Sequence, residues 1–103
     1  MTQPRRENFT RIGSLFEDYF RQIGMFQRYK QGQVLAYWEE VVGERVARHT
    51  TPTSCRDRIL FVEVDSPTWM NELQYRKRDI VTQINRFLNG SFIKDIRFVA
   101  PRG

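Results

Sequence analysis

The sequence predicts a single α+β domain in which a small, open three-stranded sheet has helices packed on one face. Three patterns lead to this fold class. Apolar side chains recur at helical spacing through much of the first 42 residues, ILFVEV at 59–64 alternates with the period of a strand, and an apolar stripe runs for about five helical turns from Trp69 to Leu88. A chain of 103 residues with 40% hydrophobic content can form one core but is short for two. The predicted order is α-α-β-β-α-β.

The N-terminal part is expected to begin with a flexible basic arm at residues 1–7, and the single folded domain is expected to span residues 8–100. A first helix is predicted because its apolar residues fall on one face, and Gly24 is expected to end it. The residues of that face are Phe9, Ile12, Phe16, Tyr19, Phe20 and Ile23.

A second helical region is predicted from about Tyr29 to Gly43, which breaks or kinks it. Residues 44–48 add at most one short turn, and Pro52 then biases Thr51 towards an extended conformation. The stretch YWEEVVGERVARHTTP at 37–52 therefore marks a transition from helix to strand.

Two strands are predicted next, at 51–55 and 59–64, joined by the short loop Arg56-Asp57-Arg58. A long helix follows, because Ser66 is a good N-cap residue and Pro67 suits the first helical position. Asn89-Gly90 closes this helix, and FIKDIRFVA at 92–100 is expected to be the last strand. The residues predicted to share one core are Leu60, Val62, Val64, Trp69, Leu73, Ile80, Ile84, Ile96 and Phe98.

A three-stranded sheet cannot close into a barrel, so its second face should be at least partly exposed. The residues expected on that face are Ile59, Phe61, Glu63, Arg97 and Val99. Phe61 has two interpretations. It is either a platform on which a nucleic-acid base stacks or, as we favour from the sequence, an aromatic ring that the N-terminal helix covers.

Composition excludes several classes of protein. No apolar run is long enough to cross a bilayer, and no secretory segment follows the N-terminus, so a cytoplasmic protein without membrane contacts is expected. One cysteine and one histidine, Cys55 and His49, cannot form a disulfide or a zinc site within one chain. Neither a metal nor a cofactor is predicted. Arginines beside Cys55 could lower the pKa of its thiol.

The charge of the chain points towards a polyanionic partner. The formal charge is +5, from 17 Lys+Arg against 12 Asp+Glu, and nearly all of the basic residues are arginines. Arginine binds phosphate in two-point fashion and stacks on bases, which favours nucleic acid. A solvated basic surface without a partner remains the alternative, because many soluble domains carry a similar excess.

An ordered set of residues resembles the bacterial DciA-like proteins over roughly residues 9–99. The resemblance implies a KH-like domain that binds single-stranded or duplex DNA with low sequence specificity and helps to load or operate a replicative helicase of the DnaB type. Many members have a small residue in the hairpin, where this chain has Arg56-Asp57-Arg58. The residues that carry the resemblance are Trp38, Val41-Val42-Gly43, Val46-Ala47, His49-Thr50, Pro52, Leu60, Val62, Val64, Ser66, Trp69, Leu73, Ile80, Asn85 and Ile96-Arg97-Phe98.

Nucleic-acid contact in this chain should depend on side-chain charge. The glycines never fall three apart, so the G-x-x-G loop with which many KH domains hold single-stranded RNA is missing. Basic residues cluster at three places in the sequence instead and should contact phosphates. The predicted nucleic-acid-binding residues are Arg45, Arg48, Arg56, Arg58, Arg76, Lys77 and Arg78.

The sequence does not predict an enzyme. It contains no phosphate-binding glycine loop, no nucleophile elbow and no evident carboxylate pair, and no small-molecule substrate is expected. Trp38 and Trp69 sit in apolar stripes and are expected in the core, and His49 is expected to cap or pack a helix end. The leading hypothesis is a non-catalytic DNA-binding helicase accessory. A KH-like RNA-binding module and a protein-interaction domain with incidental charge are the alternatives.

Overall fold

The computed structural model describes residues 4–102, with side chains from Ile12 onward, and it confirms the α+β class and the order of elements. Residues 1–3 of the expected arm lie outside the described part, and the first helix already begins at Pro4. The elements are α1 (Pro4–Gln22), α2 (Phe26–Ala36), α3 (Trp38–Val42), α4 (Glu44–Ala47), β1 (Thr50–Arg56), β2 (Ile59–Val64), α5 (Pro67–Leu88) and β3 (Asp95–Val99).

The second helical region is interrupted twice, although the sequence predicts one break. Gly43 has a φ of 89°, a conformation that side chains other than glycine rarely adopt, and it separates α3 from α4. Tyr37 separates α2 from α3, with φ −115° and ψ 33°. Its N–H still bonds to Gln33 O at 2.9 Å and its carbonyl accepts from Val41 N at 3.1 Å, so this interruption is local.

The sheet is mixed and has the order β1-β2-β3, with β2 in the centre. β1 is antiparallel to β2, and a bulge lies between Pro52 and Ser54. β3 runs parallel to β2, so the chain needs a long crossover between them, and α5 provides it. In this register Ser54, Phe61 and Arg97 lie side by side across the sheet.

The β1–β2 turn has left-handed conformations at both of its central residues, because φ is 53° at Asp57 and 65° at Arg58. Two-residue hairpin turns need this geometry to match the twist of the strands. Arg58 also holds the segment before β3. Its Nη2 donates to the Ser91 carbonyl at 2.9 Å, and its own carbonyl accepts from Lys94 N at 2.8 Å.

The predicted core is confirmed. Eight of the nine predicted residues are buried, and Trp69 is partly buried against them. Helices therefore cover one face of the sheet, since the buried residues of β2 alternate with half-buried ones. Further buried residues come from α2, α3, the end of α5 and the loop before β3: Val34, Trp38, Val41, Val42, Leu88 and Ile93.

The long helix begins and ends as the sequence predicts. Ser66 Oγ accepts a hydrogen bond from Trp69 N at 3.2 Å, and Asn89 takes the left-handed conformation after Leu88. The last strand is shorter than the predicted 92–100. Asn85 Oδ1 accepts from Phe92 N at 3.0 Å and Ile93 N at 2.9 Å, so these backbone groups are bonded to a side chain instead of to a strand.

The described part of α1 packs against α2 through a narrow strip. Phe20 stacks on Tyr29 with ring centroids 4.5 Å apart, and Glu17 Oε1 accepts from the buried Lys30 Nζ at 2.7 Å. Much of the apolar stripe predicted for this helix is exposed. The exposed residues of that stripe are Ile12, Phe16, Tyr19 and Ile23, and Leu15 beside it is exposed as well. Within residues 4–102, no helix combines the length and the hydropathy that a membrane span requires.

Candidate nucleic-acid interface

Five of the seven predicted nucleic-acid-binding residues line three separate depressions of the surface, and Arg48 and Arg58 line none of these three. Arg45 and Arg76 line one depression, and Lys77 and Arg78 line another. Arg56 lines a third on the face of the sheet that the helices leave open. The grouping of these basic residues along the sequence therefore differs from their grouping on the surface of the folded protein.

The first depression has a volume of about 500 Å³ and lies between α4 and the start of α5, beside Trp69. Arg76, which lines this depression, and Arg48 at the end of α4 already have acidic partners. Arg76 Nε donates to Glu72 Oε2 at 2.8 Å, and Arg48 Nη2 donates to Glu44 Oε1 at 2.9 Å. Both pairs are exposed, so each stabilises the fold by only about 0.3–0.5 kcal/mol and leaves its arginine able to exchange partners.

The second depression, of about 450 Å³, lies between the middle of α5 and the start of β3. Lys94 lies here with Lys77 and Arg78, and Asp95 Oδ1 is 3.6 Å from Lys77 Nζ. Lys94 follows no periodic pattern in the sequence. Only the fold shows that it belongs with the two basic residues of the helix.

Helix geometry separates Arg76 from Arg78. Successive residues of a helix are rotated by about 100° around its axis, so a rotation of roughly 200° places these two side chains on nearly opposite sides of α5. Arg76 therefore lies towards Arg45, and Arg78 lies towards Lys94. Both side chains are exposed, as the sequence predicts.

The third group surrounds Phe61, and we call Arg56, Phe61, Glu63, Arg97 and Arg102 the open sheet face. The Cζ atoms of Arg56 and Arg97 lie 5.6 and 5.9 Å from the centre of the Phe61 ring. Arg56, Glu63 and Arg102 line a depression of about 500 Å³ together with the ring. The outward positions of Phe61, Glu63 and Arg97 follow from strand alternation, whereas Arg102 lies beyond the last strand and has no such signal.

Phe61 is not covered as the sequence led us to expect. The described part of α1 packs on α2, and the ring of Phe61 lies half-buried between two guanidinium groups. The expected cover is wrong because the helices occupy the opposite face of the sheet, where Leu60 and Val62 are fully buried. A sequence pattern shows that two elements are apolar, but it does not show which of them meet.

Arg58 does not belong to the open sheet face. Its guanidinium donates to the carbonyl and the hydroxyl of Ser91, at 2.9 and 3.2 Å. Arg56 and Arg58 are neighbours in sequence, but the left-handed turn sends them to different surroundings. Arg58 therefore holds the loop before β3, and of these two arginines only Arg56 lies on the open sheet face.

The remaining polar residues with possible chemistry have packing roles. His49 stacks on Trp69 with ring centroids 4.7 Å apart, and its Nδ1 is 3.1 Å from Asp65 Oδ2. Burial raises the pKa of the Cys55 thiol, in contrast to the lowering that its arginine neighbours suggested. Among residues 4–102, no group of three or more His, Cys, Asp or Glu side chains lies close enough together to hold a metal ion.

Comparison with known proteins identifies relatives over most of the chain. The protein is 33% identical over 90 residues to a UPF0232 protein of Rhodococcus jostii, an alignment that covers 87% of this chain and 48% of the relative. It is 29% identical over 91 residues to a UPF0232 protein of Corynebacterium glutamicum, covering 88% of this chain and 51% of the relative. The chain thus spans about half the length of the curated relatives it matches.

The family model described as "Dna[CI] antecedent, DciA" matches residues 11–98. The matched segment runs from α1 to the end of β3 and includes all five helices and all three strands, at least in part. The resemblance noted in the sequence is confirmed, and the chain belongs to the DciA family.

Proposed function

We propose that this protein is a non-catalytic, DNA-binding accessory that helps to load or operate a bacterial replicative helicase of the DnaB type. The observation that carries the proposal is membership of the DciA family over nearly the whole described fold. The family description names an antecedent of the DnaC and DnaI proteins, and such a role requires contact with both the helicase and DNA.

The arrangement of basic residues supports the DNA-binding part of the proposal. Three depressions carry arginine or lysine, and Arg45 and Arg78 are exposed at two of them. Phosphate contacts made in this way are electrostatic and weakly selective for sequence. This mode agrees with an accessory protein that must act at many DNA sequences.

The non-catalytic part of the proposal is supported by the sequence. It has no glycine-rich loop with which to hold a nucleotide, so any hydrolysis of ATP would be performed by the helicase. The proposed place of action is the cytoplasm, where chromosomal DNA and the helicase are found.

Affinity capture tests the helicase contact. The tagged protein is incubated with extract of its native cells, treated with nuclease so that DNA cannot bridge two proteins, and the retained proteins are identified by mass spectrometry. We expect the replicative helicase to be retained and a direct complex to form from the two purified proteins. Absence of binding between the purified proteins would overturn the helicase part of the proposal.

Fluorescence anisotropy tests the nucleic-acid contact separately. Labelled single-stranded DNA, duplex DNA and RNA are titrated at two salt concentrations, and we expect DNA binding that weakens steeply with salt. A clear preference for RNA would favour the KH-like RNA-binding alternative. No binding to any of the three would favour a protein-interaction domain with incidental charge.

A further inference from the structure

The open sheet face combines an aromatic ring with arginines that form no ion pair with any side chain the structure describes. Within the described part of the chain, ion pairs engage Arg48, Arg76 and Lys77, but none engages Arg56, Arg97 or Arg102. All three unpaired arginines are exposed. Each of these three side chains can therefore bind a phosphate without first breaking an ion pair. Arg45, Arg78 and Lys94 share this property, so the open sheet face is distinguished by the Phe61 ring, which has two guanidinium groups within 6 Å of its centre.

The ring of Phe61 is half-buried on the central strand, so its position is fixed by the strands on both sides. Arg56 comes from one neighbouring strand and Arg97 from the other, and both guanidinium carbons lie within 6 Å of the ring centre, at 5.6 and 5.9 Å. These side chains are long and exposed, so either can move aside while the ring stays in place. Phe61 is therefore a fixed apolar ring, and the guanidinium groups of Arg56 and Arg97 on its two sides can move. We call this ring the Phe61 platform.

The charge and shape of this face match a single-stranded nucleic acid. Three arginines face one carboxylate, that of Glu63, so the face favours an anion. A single strand alternates flat apolar bases with phosphates, and such strands bind where aromatic rings and basic side chains alternate. An intact duplex stacks its bases on one another and offers this ring nothing to stack on.

We propose that the open sheet face binds single-stranded DNA, with one base stacked on Phe61 and the flanking phosphates bound by Arg56, Arg97 and Arg102. Ser54 borders the same depression and can donate a hydrogen bond to a phosphate oxygen, whereas the Thr53 hydroxyl already donates to the Phe61 carbonyl at 3.2 Å. The choice of DNA rather than RNA rests on the proposed function. The site itself rests on the geometry of the face.

The test uses fluorescein-labelled 20-nucleotide oligothymidine and fluorescence anisotropy. Phe61→Leu keeps an apolar side chain but removes the ring, and we expect it to weaken binding by about 5- to 150-fold, which corresponds to stacking of about 1–3 kcal/mol per base. Phe61→Trp keeps a stacking surface and should remain close to wild type. Arg56→Gln combined with Arg97→Gln should lower the salt slope by about 1.4, at about 0.7 for each phosphate contact on a single strand.

Matched controls come from α5. Phe87→Leu makes the same change at an exposed phenylalanine, and Arg86→Gln makes the same change at an exposed arginine. Both should leave the affinity for oligothymidine within about twofold of wild type. Thermal unfolding of every variant shows whether the fold is retained, and photo-crosslinking with 4-thiothymidine should label the peptide that contains Phe61.

The outcomes separate this site from the proposed function. Oligothymidine binding that is unchanged by Phe61→Leu, with crosslinks elsewhere, would overturn the site while DNA binding stands. An equally large loss of affinity for a duplex of the same length in Phe61→Leu would also overturn it, because a duplex offers the ring no base on which to stack. Absence of DNA binding by the wild-type protein would remove the DNA part of the proposed function as well, and much tighter binding of oligouridine would replace DNA by RNA as the ligand.

Discussion

The indole Nε1 of Trp38 donates a hydrogen bond to Thr50 Oγ1 at 2.8 Å inside the core. The same hydroxyl donates to the carbonyl of Val46 at 2.8 Å, so one threonine connects α3, α4 and the first residue of β1. These bonds hold the transition from helix to strand in place. They also explain why Trp38 is a core residue with its polar atom satisfied.

Thr50→Val should therefore destabilise the protein. Valine has nearly the same shape but leaves the buried Trp38 N–H without its acceptor and removes one of the two hydrogen bonds that the Val46 carbonyl accepts, at a cost of about 1–3 kcal/mol. For a domain of this size, each kcal/mol lowers the melting temperature by about 4–8 °C. Thr51→Val is the control, because Thr51 is exposed at the next position and valine is favourable in a strand. Equal melting temperatures for both variants would contradict the role of the hydroxyl.

Asn85→Ala should disrupt the connection between α5 and β3. The side chain accepts from two backbone N–H groups, and its Nδ2 donates to the Ile93 carbonyl at 2.8 Å. Loss of all three bonds beside the buried Ile93 should cost about 2–4 kcal/mol in the free energy of unfolding, measured with urea. Asn71→Ala, at an exposed position of the same helix, should change it by less than about 0.5 kcal/mol.

The ion pair between Glu17 and Lys30 should contribute more than an exposed pair on the same helix. Lys30 Nζ is largely buried, and removal of its acidic partner leaves a charge with few ways to be solvated. Glu17→Gln should destabilise the protein by about 1–3 kcal/mol. Asp18→Asn removes the exposed pair with Arg21 and should cost less than about 0.5 kcal/mol. Similar urea midpoints for the two variants would show that burial of Lys30 does not matter.

Tyr29 should make the protein less stable in alkaline solution. Burial, followed by the charge of Glu17 and the nearby Tyr37, raises the pKa of Tyr29 above its ordinary value of 10.0. The unfolded chain then loses its proton first, so this contribution to stability is complete below about pH 10 and is lost as the pH rises towards the folded pKa. Tyr29→Phe should flatten the decline in melting temperature between pH 9 and pH 11. A decline that is unchanged in the variant would assign it to other groups.

Arg76 and Arg78 should contribute independently to DNA binding, because they lie in different depressions. If both contact duplex DNA, each alanine substitution should lower the log-log salt slope by about 0.9, and the double variant by about 1.8. An effect of one substitution alone would identify the depression that DNA uses. Arg86→Ala is the control on the same helix, and a slope that neither Arg76→Ala nor Arg78→Ala alters would remove both residues from the interface.

Sequence patterns correctly predicted those elements whose bounds depend on neighbouring residues in the chain. The bounds of β2 and the start of α5 follow from strand alternation and from the Ser66-Pro67 cap, and both agree with the structure. The start of β3 could not be predicted, because the backbone before it bonds to Asn85, eight residues away from Ile93. The break at Tyr37 likewise has no glycine or proline to indicate it.

The candidate site was only partly predictable, because it brings together residues from elements that are far apart in the sequence. Alternation placed Phe61 and Arg97 on one face, and the register of the sheet agrees. The grouping of Arg45 with Arg76 and of Arg78 with Lys94 depends on which elements pack together. Clusters of basic residues in a sequence indicate a basic protein, but the fold determines which basic side chains lie close enough together to bind the same ligand.

The arginines on the two sides of the Phe61 ring are joined to its strand by chain segments of different length. Arg56 reaches the ring through a two-residue hairpin turn, and hairpins form within about 1–10 μs. Arg97 is separated from that strand by the 22 residues of α5, and we expect pairing across so long a connection to form more slowly. Detachment of β3 would therefore remove Arg97 from beside the Phe61 ring, while Arg56 would stay beside it in the hairpin. A ligand bound on the Phe61 platform by both arginines should slow amide hydrogen exchange in β3 more than in β1.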